Sequence, residues 1–341
     1  MAGNMDKTSI FYIVDDFFGC GWYRCHVPGL ELKRRGYEVV LDGAIDPAGV
    51  EAFDVIVFQR QWRPQAVQAM EYAISLGKTV VYELDDDLWN LHESNPAYEA
   101  WSNPAILGGA ERLLRSAHLV TTTTPALAQH LRRFNKNIRI LPNMLPLEHW
   151  QVPRDRPEGY DKVVVGWAGS ASRWRDLSIV KEVGKQLLDK YPNVELLVAS
   201  GDDSNMIFPP HPRIGRLQGV KIEQYAYSLT QFDIGLAPVV DSRFNQAKSD
   251  LKFLEYSMLG IPTVASHVES YVHSIVNGEN GFLAKNDKDW LKYLQRLIEQ
   301  PELRAEIGAA AKAFADERTI DKTAWMWEQA YGLSLAARES A

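Results

Sequence analysis

Short runs of apolar residues recur along the chain, each followed by a longer segment whose apolar positions fall three or four apart. The runs at 9–14, 37–41, 54–59, 78–84, 118–122 and 138–141 predict strands. Between them, 22–35 and 64–76 predict helices, and a further helix is expected to begin at Pro125, a residue suited to the first helical position. Gly36 closes the first helix in a C-cap position. Because the strand runs are apolar throughout rather than alternating, they predict a parallel sheet covered on both faces.

Residues 144–161 break the pattern. They hold Pro146, Pro153 and Pro157 and predict a linker. The alternation then restarts, with strands expected at 162–167, 194–200, 233–237 and 262–266 and helices at 176–191, 251–259, 287–299 and 301–315. A final helix at 319–333 is rich in aromatics: Trp325, Trp327 and Tyr331. The architecture therefore repeats once. The expected division is 1–150 for a first α/β unit, 151–318 for a second, and 319–341 for a closing helix. Open α/β sheets bind ligands beyond the C-terminal ends of their strands, so two such units facing each other place two ligand sites across one cleft.

Composition changes this picture little. The 341 residues are 46% hydrophobic and 24% charged, as in ordinary soluble proteins. The apolar run at 10–14 is too short for a signal or membrane segment. Cys20 and Cys25 have no metal spacing; as bystander thiols they suit a reducing, cytoplasmic setting. A net charge of −7 argues against a broad nucleic-acid surface, although Arg60, Arg63 and the Arg132–Arg133 pair leave a local basic groove open. The segment Leu131-Arg132-Arg133-Phe134-Asn135-Lys136 fits a solvated helix end better than a membrane contact.

Candidate chemistry concentrates in two loops of the second unit. In Gly169-Ser170-Ala171-Ser172-Arg173-Trp174-Arg175-Asp176, small residues allow close backbone approach, and Arg173 and Arg175 stand at a helix start that is already partly positive. Such a place suits an anion; a solvated surface loop is the alternative. In Asn245-Gln246-Ala247-Lys248-Ser249-Asp250-Leu251-Lys252-Phe253-Leu254-Glu255, Ser249 is an expected N-cap and Leu251, Leu254 and Met258 form the buried stripe. Lys248 and Lys252 oppose the helix dipole by about 0.3–1 kcal/mol each unless a diphosphate reverses the sign. A simple Lys252–Glu255 surface pair is the competing explanation, and it leaves Lys248 without a purpose.

At these residues the chain resembles the retaining nucleotide-sugar glycosyltransferases of the GT-B fold, especially family 4. The resemblance implies two Rossmann-like domains whose parallel sheets face a central cleft, with an N-terminal acceptor domain, a C-terminal donor domain and a last helix returning to the first. Residues 244–266 resemble the family's donor helix and following strand. By resemblance Glu255 holds the donor ribose hydroxyls, while Ala247 stands where relatives carry a glutamate toward the sugar, a place that Lys248 or Asn245 would fill. Arg175 falls on the lysine of the family's Arg-x4-Lys diphosphate clamp. Ser170 falls on its arginine, so Arg173 is expected to supply that charge. Gly201 resembles the glycine near the nucleobase. These departures suit a divergent subgroup.

In the first unit, Gly19-Cys20-Gly21-Trp22-Tyr23-Arg24 resembles the family's glycine-rich loop, with Tyr23 and Arg24 either facing the cleft or, for Tyr23, the core. Asp85 falls at the strand end where relatives often carry a cleft histidine, and so is expected to orient the acceptor hydroxyl with Asp86 beside it. Two other readings of Glu83-Leu84-Asp85-Asp86-Asp87 remain: the Asp-x-Asp metal motif of GT-A transferases, and an N-cap for the next helix.

The resulting expectation is a hexosyltransferase moving sugar from a UDP- or GDP-type donor to an acceptor hydroxyl, with retention and without metal or other cofactor. Leaving-group charge would fall on Arg173, Arg175, Lys248, Ser249 and helix N–H groups, with Asp85, Arg175 and Lys248 as the catalytic set. The acceptor is open: glycan, lipid-linked, protein or nucleic acid. A nucleotide-sugar epimerase of the same fold and a non-catalytic nucleotide-sugar or glycan-binding protein are the alternatives.

Overall fold

Two parallel sheets, each of six strands among the described residues, organise the computed structural model, which describes residues 8–44, 48–154, 159–170, 173–200 and 207–333. The first contains β1 (Ser9–Ile13), β2 (Glu38–Asp42), β3 (Val55–Gln59), β4 (Thr79–Glu83), β5 (Leu119–Thr122) and β6 (Ile138–Ile140), in the order β2-β1-β3-β4-β5-β6. The second contains β7 (Val163–Ala168), β8 (Val194–Ala199), β9 (Ile214–Leu217), β10 (Ile234–Ala237), β11 (Thr263–Ser266) and β12 (Phe282–Ala284), in the order β12-β11-β10-β7-β8-β9. The strand order reverses between β1 and β3 and again between β7 and β10, which creates one crevice in each sheet. This is the expected GT-B arrangement. The central strands β1, β3 and β7 are buried along their whole length, as their unbroken apolar runs required.

Local departures have local causes. The first helix opens with a short turn at Gly19–Gly21, widens to a π-type turn over Trp22–His26 and becomes regular at Val27–Arg34. Pro28 sits at the N-terminal turn of the regular part and has no N–H to give back to the preceding turn. The helix expected at 176–191 divides into Trp174–Leu177, a 3₁₀ turn at Ser178–Val180, and Lys181–Lys190. Strands β9 and β12 and the helices Pro104–Ser116 and Ile222–Leu229 were not expected. No helix among the described residues is long and apolar enough to cross a membrane.

The chain crosses between the sheets twice, and the crossings lie side by side. Leu145 N donates to Arg318 O at 3.1 Å and Ile320 N donates to Leu145 O at 3.0 Å. Beyond this pair the chain returns to the first sheet. Ile320, Ala324, Trp327 and Tyr331 are buried in one cluster with Ile10, Tyr12, Val57 and Val81. The helix Trp325–Tyr331 ends at Gly332, which takes the left-handed conformation.

Candidate active site

The crevice of the second sheet is walled by the loops that follow β7 and β10. After β10 the chain forms a short turn of helix, Arg243–Gln246, capped by Ser242 Oγ, and then the helix Leu251–Met258. Ser249 does not cap that helix, contrary to expectation. Asp250 holds the N-cap position, and its carboxylate accepts from Arg318 at 3.2 Å instead of capping. Ser249 Oγ accepts from Asn143 Nδ2 at 2.8 Å, reaching the first half of the chain.

Glu255 lies one turn into this helix and is only 3% exposed. Its carboxylate accepts from Tyr23 Oη at 2.8 Å, from Tyr225 Oη at 2.9 Å and from Lys252 Nζ at 2.6 Å. Burial and the neighbouring Glu255 charge push both phenols well above their ordinary range, so they stay protonated and donate. The expected Lys252–Glu255 pair is present, but it is enclosed rather than solvated. Tyr225 lies on Ile222–Leu229, a helix missed in the sequence, and nothing in the sequence marked it as a partner of Glu255. Tyr23 unites its two open readings: it is buried, and it reaches across the cleft to a candidate donor residue.

The loop after β7 is organised around Asn245. Arg173 Nη1 donates to Asn245 Oδ1 and to Asp176 Oδ2, each at 2.9 Å, while Asn245 Nδ2 donates to Asp176 Oδ1 at 3.0 Å and to Val240 O at 2.9 Å. This network ties the two basic loops together, as two walls of one site require. Arg175 is exposed and makes no side-chain hydrogen bond among the described residues. Ser170 is exposed, and Gly169 packs so close to the Trp167 ring that a Cβ there would lie 2.5 Å from it. Gly201 lies outside the described residues, as do Ala171 and Ser172.

Ala247 has a packing reason. It is 4% exposed and belongs to the apolar cluster of the first half, with Leu127 and Leu131. Its carbonyl accepts from Thr124 Oγ1 of that half at 2.8 Å. A glutamate at this position would place a carboxylate in that cluster, at the cost of burying a charge without a partner.

On the facing side, Gly19 adopts φ 42°, and Gly21 lies where a Cβ would be 1.7 Å from the Asp16 carbonyl oxygen. Asp16 Oδ1 accepts from Phe18 N at 2.8 Å, holding this loop beneath the helix start. Arg24 does not face the cleft, which corrects its assignment there. Its wholly buried guanidinium donates to Glu83 Oε1 at 2.7 Å and Oε2 at 3.1 Å, to Leu141 O at 2.7 Å and to Asn143 Oδ1 at 3.0 Å. Arg24 is thus a clamp between β1's following helix and the end of β4.

The acidic run divides its labour. Asp87 is buried and holds a turn, accepting from Trp89 N at 3.3 Å and Asn90 Nδ2 at 2.8 Å; no helix starts there, so the N-cap reading fails. Arg60, missed as a site residue, has the unusual φ of 51° at the end of β3. Its Nη2 lies 3.0 Å from Asp85 Oδ1, from Asp86 Oδ2 and from Cys20 Sγ. Those three groups converge closely enough to ligate a metal ion, and the Arg60 guanidinium is the cation among them. Asp86 Oδ1 also accepts from Lys248 Nζ across the cleft. Burial would raise the Asp86 carboxyl, but Lys248 and Arg60 pull it down to about 2. Asp85 and Asp86 therefore share Arg60, and Asp86 also meets Lys248.

Residues 251–314 match the family model described as glycosyl transferases group 1. No curated protein sequence matches the chain. Among solved structures, the chain is similar to sucrose-phosphate synthase from Thermosynechococcus elongatus, at 15% identity and a TM-score of 0.73 over 96% of this chain and 98% of that one. It is also similar to HepE from Anabaena in complex with UDP and glucose, at 15% identity and a TM-score of 0.69 over 97% and 100%. A glycosyltransferase from Rickettsia africae follows at 12% identity and a TM-score of 0.66 over 96% and 98%. The matched group 1 segment thus begins at the cleft helix Leu251–Met258 and is carried on a two-sheet frame similar to those of glycosyltransferases.

Proposed function

We propose that the chain transfers a sugar from a UDP- or GDP-type nucleotide sugar to an acceptor hydroxyl, with retention of configuration and without a metal ion. The observation that carries this reading is the joint placement of Lys248, Lys252 and Glu255 at one helix start, walled by Arg173 and Asn245 and facing Asp85 and Asp86. That helix start opens the segment matched by the group 1 family model, and HepE has been solved with UDP-glucose. Lys248, with Arg175 and the helix N–H groups, takes up the charge that grows on the departing diphosphate. Glu255 holds the ribose hydroxyls. Asp85, fixed by Arg60, orients the acceptor hydroxyl. Retention rests on the family resemblance. Residues 1–150 form the acceptor domain and 151–318 the donor domain in this reading.

Calorimetry with UDP and GDP tests the donor site. Lys248→Ala and Arg175→Ala are each expected to lose most of the affinity while keeping the wild-type melting curve; unchanged affinity refutes the assignment. Incubation with labelled nucleotide sugar alone is expected to give no new nucleotide sugar, whereas an epimerised product overturns transfer. Activity is expected to persist in excess chelator, and a metal-reversible loss would move the reading to the Cys20, Asp85 and Asp86 cluster.

A further inference from the structure

Two of the groups just assigned to the donor are already engaged, and both partners come from the opposite half of the chain. Lys248 is paired with Asp86, and Glu255 accepts the Tyr23 hydroxyl at 2.8 Å. The chemistry of each partner resembles a part of the donor. A carboxylate offers a lysine two anionic oxygens, as a phosphoryl group does. A phenol offers a carboxylate one O–H donor, as a ribose hydroxyl does.

We propose that Asp86 and Tyr23 are determinants of donor affinity that compete with the donor's phosphate and ribose hydroxyl for Lys248 and Glu255. The proposal rests on the donor-site reading above and adds that binding is an exchange rather than an addition. Asp86 keeps one partner after the exchange, because Arg60 holds its other oxygen at 3.0 Å. Tyr23 gives up its bond, while Glu255 retains Tyr225 at 2.9 Å and Lys252 at 2.6 Å. The two contacts span the cleft, so they part when the halves separate, and donor entry and opening become one step. Thr124 to Ala247 and Asn143 to Ser249 also cross the cleft, and neither involves Lys248 or Glu255.

The two exchanges are separable by ligand. The test is calorimetric binding of three probes (UDP or GDP, whichever binds more tightly, its nucleoside, and inorganic pyrophosphate) to wild type, Asp86→Asn, Tyr23→Phe and Lys248→Ala. Asp86→Asn is expected to tighten the nucleotide and pyrophosphate at least threefold and to leave the nucleoside unchanged. Tyr23→Phe is expected to tighten the nucleotide and nucleoside at least twofold and to leave pyrophosphate unchanged. If both variants bind every probe equally or more weakly than wild type while Lys248→Ala loses binding, the donor site stands and the exchange is overturned. If Lys248→Ala binds as wild type, the site reading itself fails and the exchange with it. Melting curves confirm that each variant is folded, and Tyr23→Phe keeps the buried ring, so at least one arm is informative should Asp86→Asn not fold.

Discussion

Replacing Arg24 by Met separates the scaffold from the site. The arginine side chain is wholly buried, its partner Glu83 is 1% exposed, and its guanidinium makes four hydrogen bonds, two of them to that carboxylate. Met fills much of the same space but leaves the Glu83 charge without a counter-ion, and the Leu141 carbonyl and Asn143 amide oxygen without a donor. Breaking a buried pair on one side costs about 3–5 kcal/mol. For a unit of this size, that corresponds to a fall in melting temperature of roughly 6–20 °C. The companion variant Arg24→Met/Glu83→Gln removes the stranded charge, so it is expected to recover about 2 kcal/mol of the loss. Urea unfolding followed by tryptophan fluorescence measures both. Binding of UDP or GDP to the folded single variant should stay within about threefold of wild type, in contrast with Lys248→Ala. A loss below about 1 kcal/mol, or equal losses for single and double variants, refutes the view of Arg24 as a clamp.

Gly21→Ala is expected to cut kcat/KM more than tenfold, because a Cβ would lie 1.7 Å from the Asp16 carbonyl oxygen and the loop beneath Tyr23 must move; unaltered kinetics would show that the loop adjusts freely. Glu255→Gln should weaken nucleotide binding at least tenfold, or about 1.4 kcal/mol, and leave pyrophosphate binding unaffected by the loss of a ribose contact. Trp327→Ala should destabilise the protein by about 3–5 kcal/mol in urea unfolding, since the ring is fully buried against the first sheet. Burial lowers the pKa of His26, His130 and His149 from the usual 6.5, so each is neutral in the fold. The stability this contributes is complete above about pH 6.5 and is lost as pH falls through the lowered folded values. Urea midpoints should therefore drop between pH 7 and pH 5, and His149→Gln should flatten part of that slope.

What could be read in advance was what neighbouring residues decide. Strands β1, β3 and β7 are built on apolar runs, and burial on both faces leaves such runs few alternatives. The Lys252–Glu255 pair was legible because three residues apart on a helix means one face. Strand β12 spans only Phe282–Ala284, and a run of three carries no period to detect. Arg24 was misplaced because its partner Glu83 lies 59 residues away, and neither residue announces the other. The same limit hid Arg60 and Tyr225, whose roles arise only when the ends of separate strands and helices meet at the cleft. Ala247 read as an unexplained departure from a pattern; its burial against Leu127 and Leu131 supplies the reason that no local reading contained.

The side-by-side crossings at Leu145 and Arg318–Ile320 bear on how the molecule is made. All six strands of the first sheet have been synthesised by Ile140, yet Ile10, Tyr12, Val57 and Val81 await Ile320, Trp327 and Tyr331. The second sheet, begun later, has its last strand by Ala284 and its helix Pro301–Asp316 soon after. On the ribosome the half that starts first is therefore completed last, and its apolar face stays open until the closing helix emerges. A stop shortly after Arg318 would spare every strand and every candidate site residue, and still yield a chain that exposes this face to aggregation.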